Sequence, residues 1–390
     1  MTKAILLMTM MLFFGTSCTR EETMPELTKR VFAVAKVQAE QMATKLGPTS
    51  TPRTFTDGRF VSAPKEWWCS GFFPGTLWLI YEYSHDETIR DLALRETAKI
   101  DSVKYITDHH DVGFQINCSF GHQYRLLGDT VALNVMRTAA HSLAQSFTPA
   151  VGCIKSWPFV KEGFDWVYPV IIDNMMNLEL LMVVGNIDND DHLRAVAVSH
   201  ADKTMQNHFR KDHTSYHLVD YDPHTGAVNK KITVQGLADE SAWSRGQAWA
   251  LYGYTMMFEQ TGDIRYLHQA QHIADMLISR LPEDGIPYWD FDSPKIPEEY
   301  RDASAAAVMA SAFIVLSQMT DNGKSYIKIA EKQLRTLSGP EYLAETGDNG
   351  NFILKHSVGS LPDSVEIDTP LSYADYYYLE ALLRYRKYTE

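Results

Sequence analysis

The chain has 390 residues, 45% of them hydrophobic and 22% charged, which is enough apolar material to bury a large core and too much for a disordered chain. Its formal net charge is -13 and it carries no basic run or face, which excludes nucleic acid as a partner. An anionic ligand would need a local basic pocket inside an acidic shell.

Residues 1–18 read as a targeting segment: Lys3, then the apolar run AILLMTMMLFFG, then Gly15-Thr16-Ser17-Cys18. Small residues followed directly by cysteine resemble a bacterial lipoprotein cleavage box, with Gly15 where an aliphatic residue is more usual. The apolar run is too short to span a bilayer comfortably. The expectation is export from a Gram-negative cytoplasm, a lipid tether on Cys18 as the only membrane attachment, a location on the periplasmic face with the cell surface as the alternative, and one catalytic domain over residues 19–390. Cys69, Cys118 and Cys153 remain, an odd number at wide spacings, and form no disulfide framework. His268 and His272 are four residues apart but lack the glutamate of a zinc-protease helix, so they read as an exposed helix face. No metal or cofactor site is expected.

Beyond the targeting segment the sequence predicts helices over 25–45, 72–84, 88–108, 114–127, 130–147, 172–185, 190–209, 244–261, 263–281, 303–319, 324–338 and 371–387, with little strand-like alternation. A polar turn followed by an amphipathic helix recurs from Ser84, Leu127, Asp188, Thr261 and Thr320, and Asp or Asn in these turns can cap the helix that follows. Between these repeats lie helices apolar nearly all round, such as FFPGTLWLIYEYS, IIDNMMNLELLMVV and ASAAAVMASAFIVL, which marks them as buried on most of their surface. Alternating buried and amphipathic helices in antiparallel pairs imply a closed ring. Six such pairs make an all-α (α/α)6 barrel.

Links out of the buried helices are short, whereas links into them run over 46–71, 148–171, 210–243, 282–302 and 339–370. Links of that length in a compact domain build binding sites. The first ends in EWWCSGFFPG, where Trp67 or Trp68 offers a stacking face for a sugar ring. A short link carries His110 and Asp111 in DHHDVGF, which alone read as a charged pair and a helix cap. The third carries Trp157. In the fourth, His213, His217 and Gln235 precede ADESAWSRGQAWALYGY, where the spacing of Arg245 and Trp249 brings a cation and an aromatic face together. Arg245 can fork a carboxylate or pair with Asp239 or Glu240. Aspartates 290, 292, 302, 368 and 375 read mostly as caps and loop hydrogen bonds. Asp173 sits among Ile171, Ile172, Met175 and Met176; read alone it is a helix cap, and folded inward it is a carboxyl whose pKa burial would raise.

Taken together, HDVGF, IIDNMMNLELL, WSRGQAWALYGY, YWDFDSP with RDASAAA, and DTPLSYADYYYLEALLRY resemble the unsaturated glucuronyl hydrolases, glycoside hydrolase family 88, from about residue 60 to the C-terminus. The resemblance implies the same barrel and a reaction on unsaturated uronide oligosaccharides left by polysaccharide lyases, in which the C4=C5 bond of the terminal uronate is hydrated. It places Asp173 on the general acid/base and Asp111 on the second essential carboxylate. It places His217, Gln235, Arg245, Trp249, His110, Trp157 and one of Trp67 and Trp68 on substrate-binding positions. Relatives that favour sulfated fragments carry serines followed by a lysine in the last long link. Here HSVGSLPDS has Ser357 and Ser360, then Pro362 and Asp363 where a basic residue would help, which argues against a sulfate preference; Lys230 and Lys231 read either as contacts for an anion or, the plainer reading, as solvated loop residues. Two rival readings are an unsaturated rhamnogalacturonyl hydrolase on the same barrel and a non-catalytic glycan-binding lipoprotein.

Overall fold

The structure, a computed structural model, describes residues 20–389; the targeting segment and Cys18 lie outside the described residues. The outer helices are α1 (Met24–Lys45), α3 (Glu87–Ala98), α6 (Thr130–Ala144), α8 (Asp191–Asn207), α10 (Ile264–Arg280) and α12 (Gly323–Leu337). Asp86, Asp129, Asp190 and Asp263 accept from first-turn amides of α3, α6, α8 and α10, satisfying donors that a helix start leaves free. Asn322 holds the same place before α12, but its side chain makes no such bond.

The inner helices are α2 (Phe72–Ser84), α7 (Asn174–Asp188), α9 (Ser244–Thr261), α11 (Ala303–Ser317) and α13 (Ser372–Thr389), with α11 buried at every position. The remaining inner segment is interrupted: α4 (Val112–Ile116), a π-helical turn at Asn117–Gly121, and α5 (His122–Leu127). Ser119 Oγ donates to the Gln115 carbonyl at 2.6 Å, a competing bond of the kind that bends a helix. Around the ring α2 packs on α13, α13 on α11, α11 on α9, α9 on α7 and α7 on α4, while the π turn returns to α2. The outer helices back the inner ones, and α1 closes the ring against α2 and α13. The predicted all-α (α/α)6 barrel is the observed one.

Two differences matter. The helix predicted over 88–108 ends at Ala98, and Asp101–Tyr105 forms a separate 3-10 turn. Ile100 leaves helical geometry at φ -100° and ψ 11°, so the chain restarts there. The long links also contain short strands. These are a hairpin of β1 (Ser50–Thr56) and β2 (Arg59–Pro64), a pair β3 (Phe147–Thr148) and β4 (Cys153–Ile154), and an antiparallel sheet of β5 (Pro169–Ile171), β6 (Leu218–Tyr221) and β7 (Val228–Ile232). That sheet sets Ile171 opposite Leu218, and the Ile172 amide donates to the His217 carbonyl at 3.0 Å, so the start of α7 is tied to the fourth link.

Candidate active site

A cavity of about 650 Å³ opens at the end of the barrel where the long links gather. That volume suits a disaccharide. Trp67, Trp68, Trp157, Trp166, Asp111, Gln235, Arg245 and Tyr373 are in its lining. Asp173, His110 and His217 are set just behind this wall, and all three are buried.

Asp173 occupies the N-cap position of α7, yet its side chain makes no capping bond. Only its backbone acts as a cap: its carbonyl accepts from the Met176 amide at 3.0 Å. The capping explanation of the side chain therefore fails. Oδ2 is buried without a hydrogen-bond partner, and His217 Nε2 is 3.8 Å away, too far to bond. Burial pushes the carboxyl up to about 6, against the pull of His110 and Arg245 and with the repulsion of Asp111. Its backbone is firmly held. Asn174 Nδ2 donates to the Ile154 carbonyl at 2.9 Å, and Asn177 Oδ1 accepts from the Phe114 amide at 2.7 Å, stapling α4 to α7. Gly113 makes that approach possible, since a Cβ there would fall 2.6 Å from the Asn177 Cα. In this way Asp111 is delivered to the neighbourhood of Asp173.

Two histidines beside Asp173 are held in opposite states by their bonds. His110 Nδ1 faces the Ser156 carbonyl at 3.0 Å, and a carbonyl only accepts, so Nδ1 carries a proton; Nε2 faces Asp111 Oδ1 at 3.1 Å. Burial opposes both charges of that pair, but their attraction prevails: Asp111 is held below the usual carboxylate range and His110 above the usual imidazole. Asp111 is at the N-cap of α4 with no side-chain cap bond, so of its two sequence readings the charged pair is present and the cap is not. His217 is the reverse case. Its Nδ1 accepts from the Val234 amide at 2.9 Å and the Gln235 amide at 3.3 Å, so Nδ1 is bare. Burial lowers this ring to about 3, and the neutral His217 points Nε2–H toward Asp173.

Arg245 is 1% exposed and fixed by three acceptors: Asp302 Oδ2 at 3.3 Å, the Gly359 carbonyl at 2.6 Å and the Val358 carbonyl. Its ion pair is with Asp302, not with Asp239 or Glu240 as the sequence allowed. These bonds leave Nε–H and one Nη2–H, which form one edge of the guanidinium fork. The convergence expected of Arg245 and Trp249 is corrected. Arg245 lies over Trp243 at 4.6 Å and Tyr373 at 5.4 Å, while Trp249 is fully buried among Phe114 and Tyr377 and is absent from the lining.

Trp67 and Trp68 both reach the cavity. Arg53 covers one face of Trp67 at 4.5 Å, and Trp68 packs on Tyr373 at 4.9 Å. Trp157 stacks on Phe159 at 5.9 Å and lies beside His110. Gln235 lines the cavity and donates to the Gly359 carbonyl at 3.3 Å. Of the expected caps, Asp302 does cap α11, Asp290 and Asp375 accept loop amides, and His268 and His272 lie on an exposed face. Lys230 pairs with Asp165. Sequence reading missed Arg53, Lys161, Glu366 and Tyr373; only Tyr373 stood inside a quoted motif, SYADYYY.

Comparison with known proteins places this architecture. The family model for Glycosyl Hydrolase Family 88 matches residues 39–389. An unsaturated glucuronyl hydrolase of Formosa agariphila is 42% identical over 344 residues, covering 87% of this chain and 85% of that protein. One from Bacillus sp. strain GL1 is 35% identical, covering 81% and 85%. The crystal structure of an unsaturated glucuronyl hydrolase specific for heparin superposes with a TM-score of 0.90 at 47% identity, covering 93% of this chain and 97% of that one. The chain belongs to glycosyl hydrolase family 88 and is a glycoside hydrolase built on an (α/α)6 barrel.

Proposed function

We propose that this hydrolase removes the 4,5-unsaturated uronic acid from the non-reducing end of lyase-generated oligosaccharides by hydrating C4=C5, with Asp173 as the proton donor. The supporting observation is the Asp173 carboxyl itself: buried, lacking a hydrogen-bond partner at Oδ2, and raised to about 6, so that its acid form exists near neutral pH. Arg245 offers its free edge to the uronate carboxylate, and the tryptophans offer faces to the sugar rings. Asp173 protonates C4 of the enol ether, leaving positive charge shared between C5 and the ring oxygen. Asp111, ionised by its pairing with His110, stabilises that charge and holds hydroxyls. The carboxylate formed at Asp173 then takes a proton from the water attacking C5, and the hemiketal opens to release the next sugar. Here the proton goes to a ring carbon, whereas ordinary glycosidases protonate the leaving oxygen.

The heparin-specific relative supports glycosaminoglycan fragments as the source of substrate. The test is loss of the conjugated C=C absorbance when unsaturated disaccharides from heparin, chondroitin, hyaluronan, gellan and rhamnogalacturonan are supplied in turn. Undiminished absorbance across the glycosaminoglycan and gellan members sinks the reading, and turnover of the rhamnogalacturonan product alone transfers it to the rival enzyme class. We also propose a lipid tether at Cys18, for which Cys18→Ser should move the protein from the membrane fraction to the soluble one.

A further inference from the structure

The inner helices α2, α4, α7 and α9 begin without a side-chain cap bond, whereas α11 begins with one, from the fully buried Asp302. Its Oδ1 accepts from the Ser304 amide at 3.0 Å, the Ala305 amide at 3.4 Å and the Ser304 hydroxyl. That accounts for one oxygen. Oδ2 meets Arg245 Nη1 at 3.3 Å. Among the described residues Asp302 is the only ion-pair partner of Arg245; the Val358 and Gly359 carbonyls that share the guanidinium are dipoles and bring no net charge. The Val358 amide also lies 3.5 Å from Oδ1, and the Asp302 amide donates to the Pro287 carbonyl at 2.9 Å, so α9, α11 and the fifth and sixth links are tied together at this one residue. A cap needs no buried charge, since serine and asparagine cap as well as aspartate does. The second oxygen is what a cap leaves unexplained.

We propose that Asp302 is a positioning residue for the reaction, which aims the free edge of Arg245 at the uronate and cancels the field of Arg245 at Asp173. The proposal rests on the unsaturated-uronide reading of the site. An arginine stays charged at any working pH, and salt screens a buried charge poorly. Unopposed, the field of Arg245 would draw the proton off Asp173, the group that must hold one. The other groups facing Asp173 are already balanced: His110 is paired with Asp111, and His217 is neutral. Arg245 also faces Glu366 and Tyr373, but Glu366 is committed to Arg53. Asp302 therefore lets one guanidinium serve two carboxylates, its own through Nη1 and the substrate's through the free edge, without taking the proton from the acid.

The test is the pH profile of kcat/KM for an unsaturated disaccharide, measured on the full chain and on the variants Asp302→Asn and Asp302→Glu. Asparagine keeps an oxygen for the helix cap and removes the charge. Its alkaline limb, expected at about 6 in the wild type, should move about one pH unit lower, because Arg245 then pulls unopposed on Asp173. Glutamate keeps the charge but carries it one methylene further, so the limb should stay in place while kcat/KM on its acid side drops about tenfold as the guanidinium is re-aimed. A mere cap would lower the melting temperature in both variants without moving the limb. An Asp302→Asn limb that stays or moves up overturns the proposal, as does an Asp302→Glu variant with wild-type kcat/KM; if the asparagine variant does not fold, the glutamate variant decides. The shift should also appear without substrate. By urea denaturation, the stability that Asp173→Asn gains as pH rises should level off about one pH unit lower in the Asp302→Asn background than in the wild type. Wild-type protein that turns over no unsaturated disaccharide overturns the hydration reading instead, and this substrate-free shift still decides whether Asp302 shields Asp173.

Discussion

Helix α7 carries two carboxyl groups with raised pKa values, one toward each end of the barrel, and they serve as each other's control. Asp173 at its start is pushed up to about 6 by burial, and Glu179 six residues on is pushed up to about 7 by burial and by Glu380. Glu179 faces a second cavity, of about 850 Å³, lined also by Glu259, Glu380, His122, Arg125 and Arg384. The groups there are wired to one another. Glu380 accepts from Ser311 Oγ at 2.5 Å, Tyr252 Oη at 3.2 Å and Arg384 Nη2 at 3.2 Å, and His122 meets Tyr376 Oη at 2.8 Å. Asp375, also raised to about 7, accepts the Ile353 and Leu354 amides at 2.9 and 2.8 Å. A perturbed pKa is thus common in this interior, and on its own it identifies nothing. Asp173 stands apart because Oδ2 is left unbonded beside an open cavity that holds a free guanidinium edge.

The sharpest way to break that comparison is Asp173→Asn, which keeps the volume and removes the transferable proton. It should lower kcat/KM by about 10³-fold without lowering the melting temperature. In the wild type, kcat/KM should fall as pH rises through about 6, where Asp173 loses its acid form. A variant that retains a tenth of the activity would remove Asp173 from the chemistry.

Arg245→Lys comes next in size. A lysine keeps the charge but cannot fork a carboxylate, and it forfeits the planar contacts with Asp302 and the Val358 and Gly359 carbonyls. The loss expected in kcat/KM is about 10²-fold, and a loss below threefold would show that the free edge does not meet the uronate.

The third effect is on stability. The folded Asp173 has a pKa near 6 against about 3.9 unfolded, so between those values the folded state holds the extra proton and its stability declines as pH rises. The asparagine variant lacks that decline. By urea denaturation it should gain on the wild type from pH 4 to pH 7, reaching an advantage on the order of 2 kcal/mol, and the gap should stay flat above that. A gap that is constant across the range would mean that Asp173 is not perturbed.

The barrel was legible because both of its helix classes announce themselves locally. The inner helices are apolar all round, and four of the outer helices start at an aspartate cap. Asp173 was legible because the apolar residues that bury it are its own neighbours in sequence. The mouth of the cavity was not. Arg53 meets Glu366 across 313 residues and Lys161 meets Asp363 across 202, in links without periodicity, where nothing local specifies the partner. Strands of two to seven residues are likewise too short for alternation to register. Trp249 shows a subtler limit. A spacing of four fixes the helix face, but it also carries the residue about 6 Å along the axis, out of the cavity wall and into the aromatic core.

Glu179→Gln is expected to do least to activity, and that makes it informative. The amide keeps the side-chain volume and removes the repulsion with Glu380. Since Glu179 lies about 9 Å along the helix from Asp173 and faces the other cavity, kcat/KM should stay within about twofold. The variant should nevertheless reproduce the stability signature of Asp173→Asn, gaining on the wild type as pH rises from 4.5 toward 7, because Glu179 too holds its proton more tightly folded than unfolded. The two variants would then share the thermodynamic consequence of burial and differ only in catalysis. If Glu179→Gln instead abolished activity, burial alone would predict function as well as the open cavity and the unbonded oxygen do, and the distinction between the two ends of the barrel would collapse.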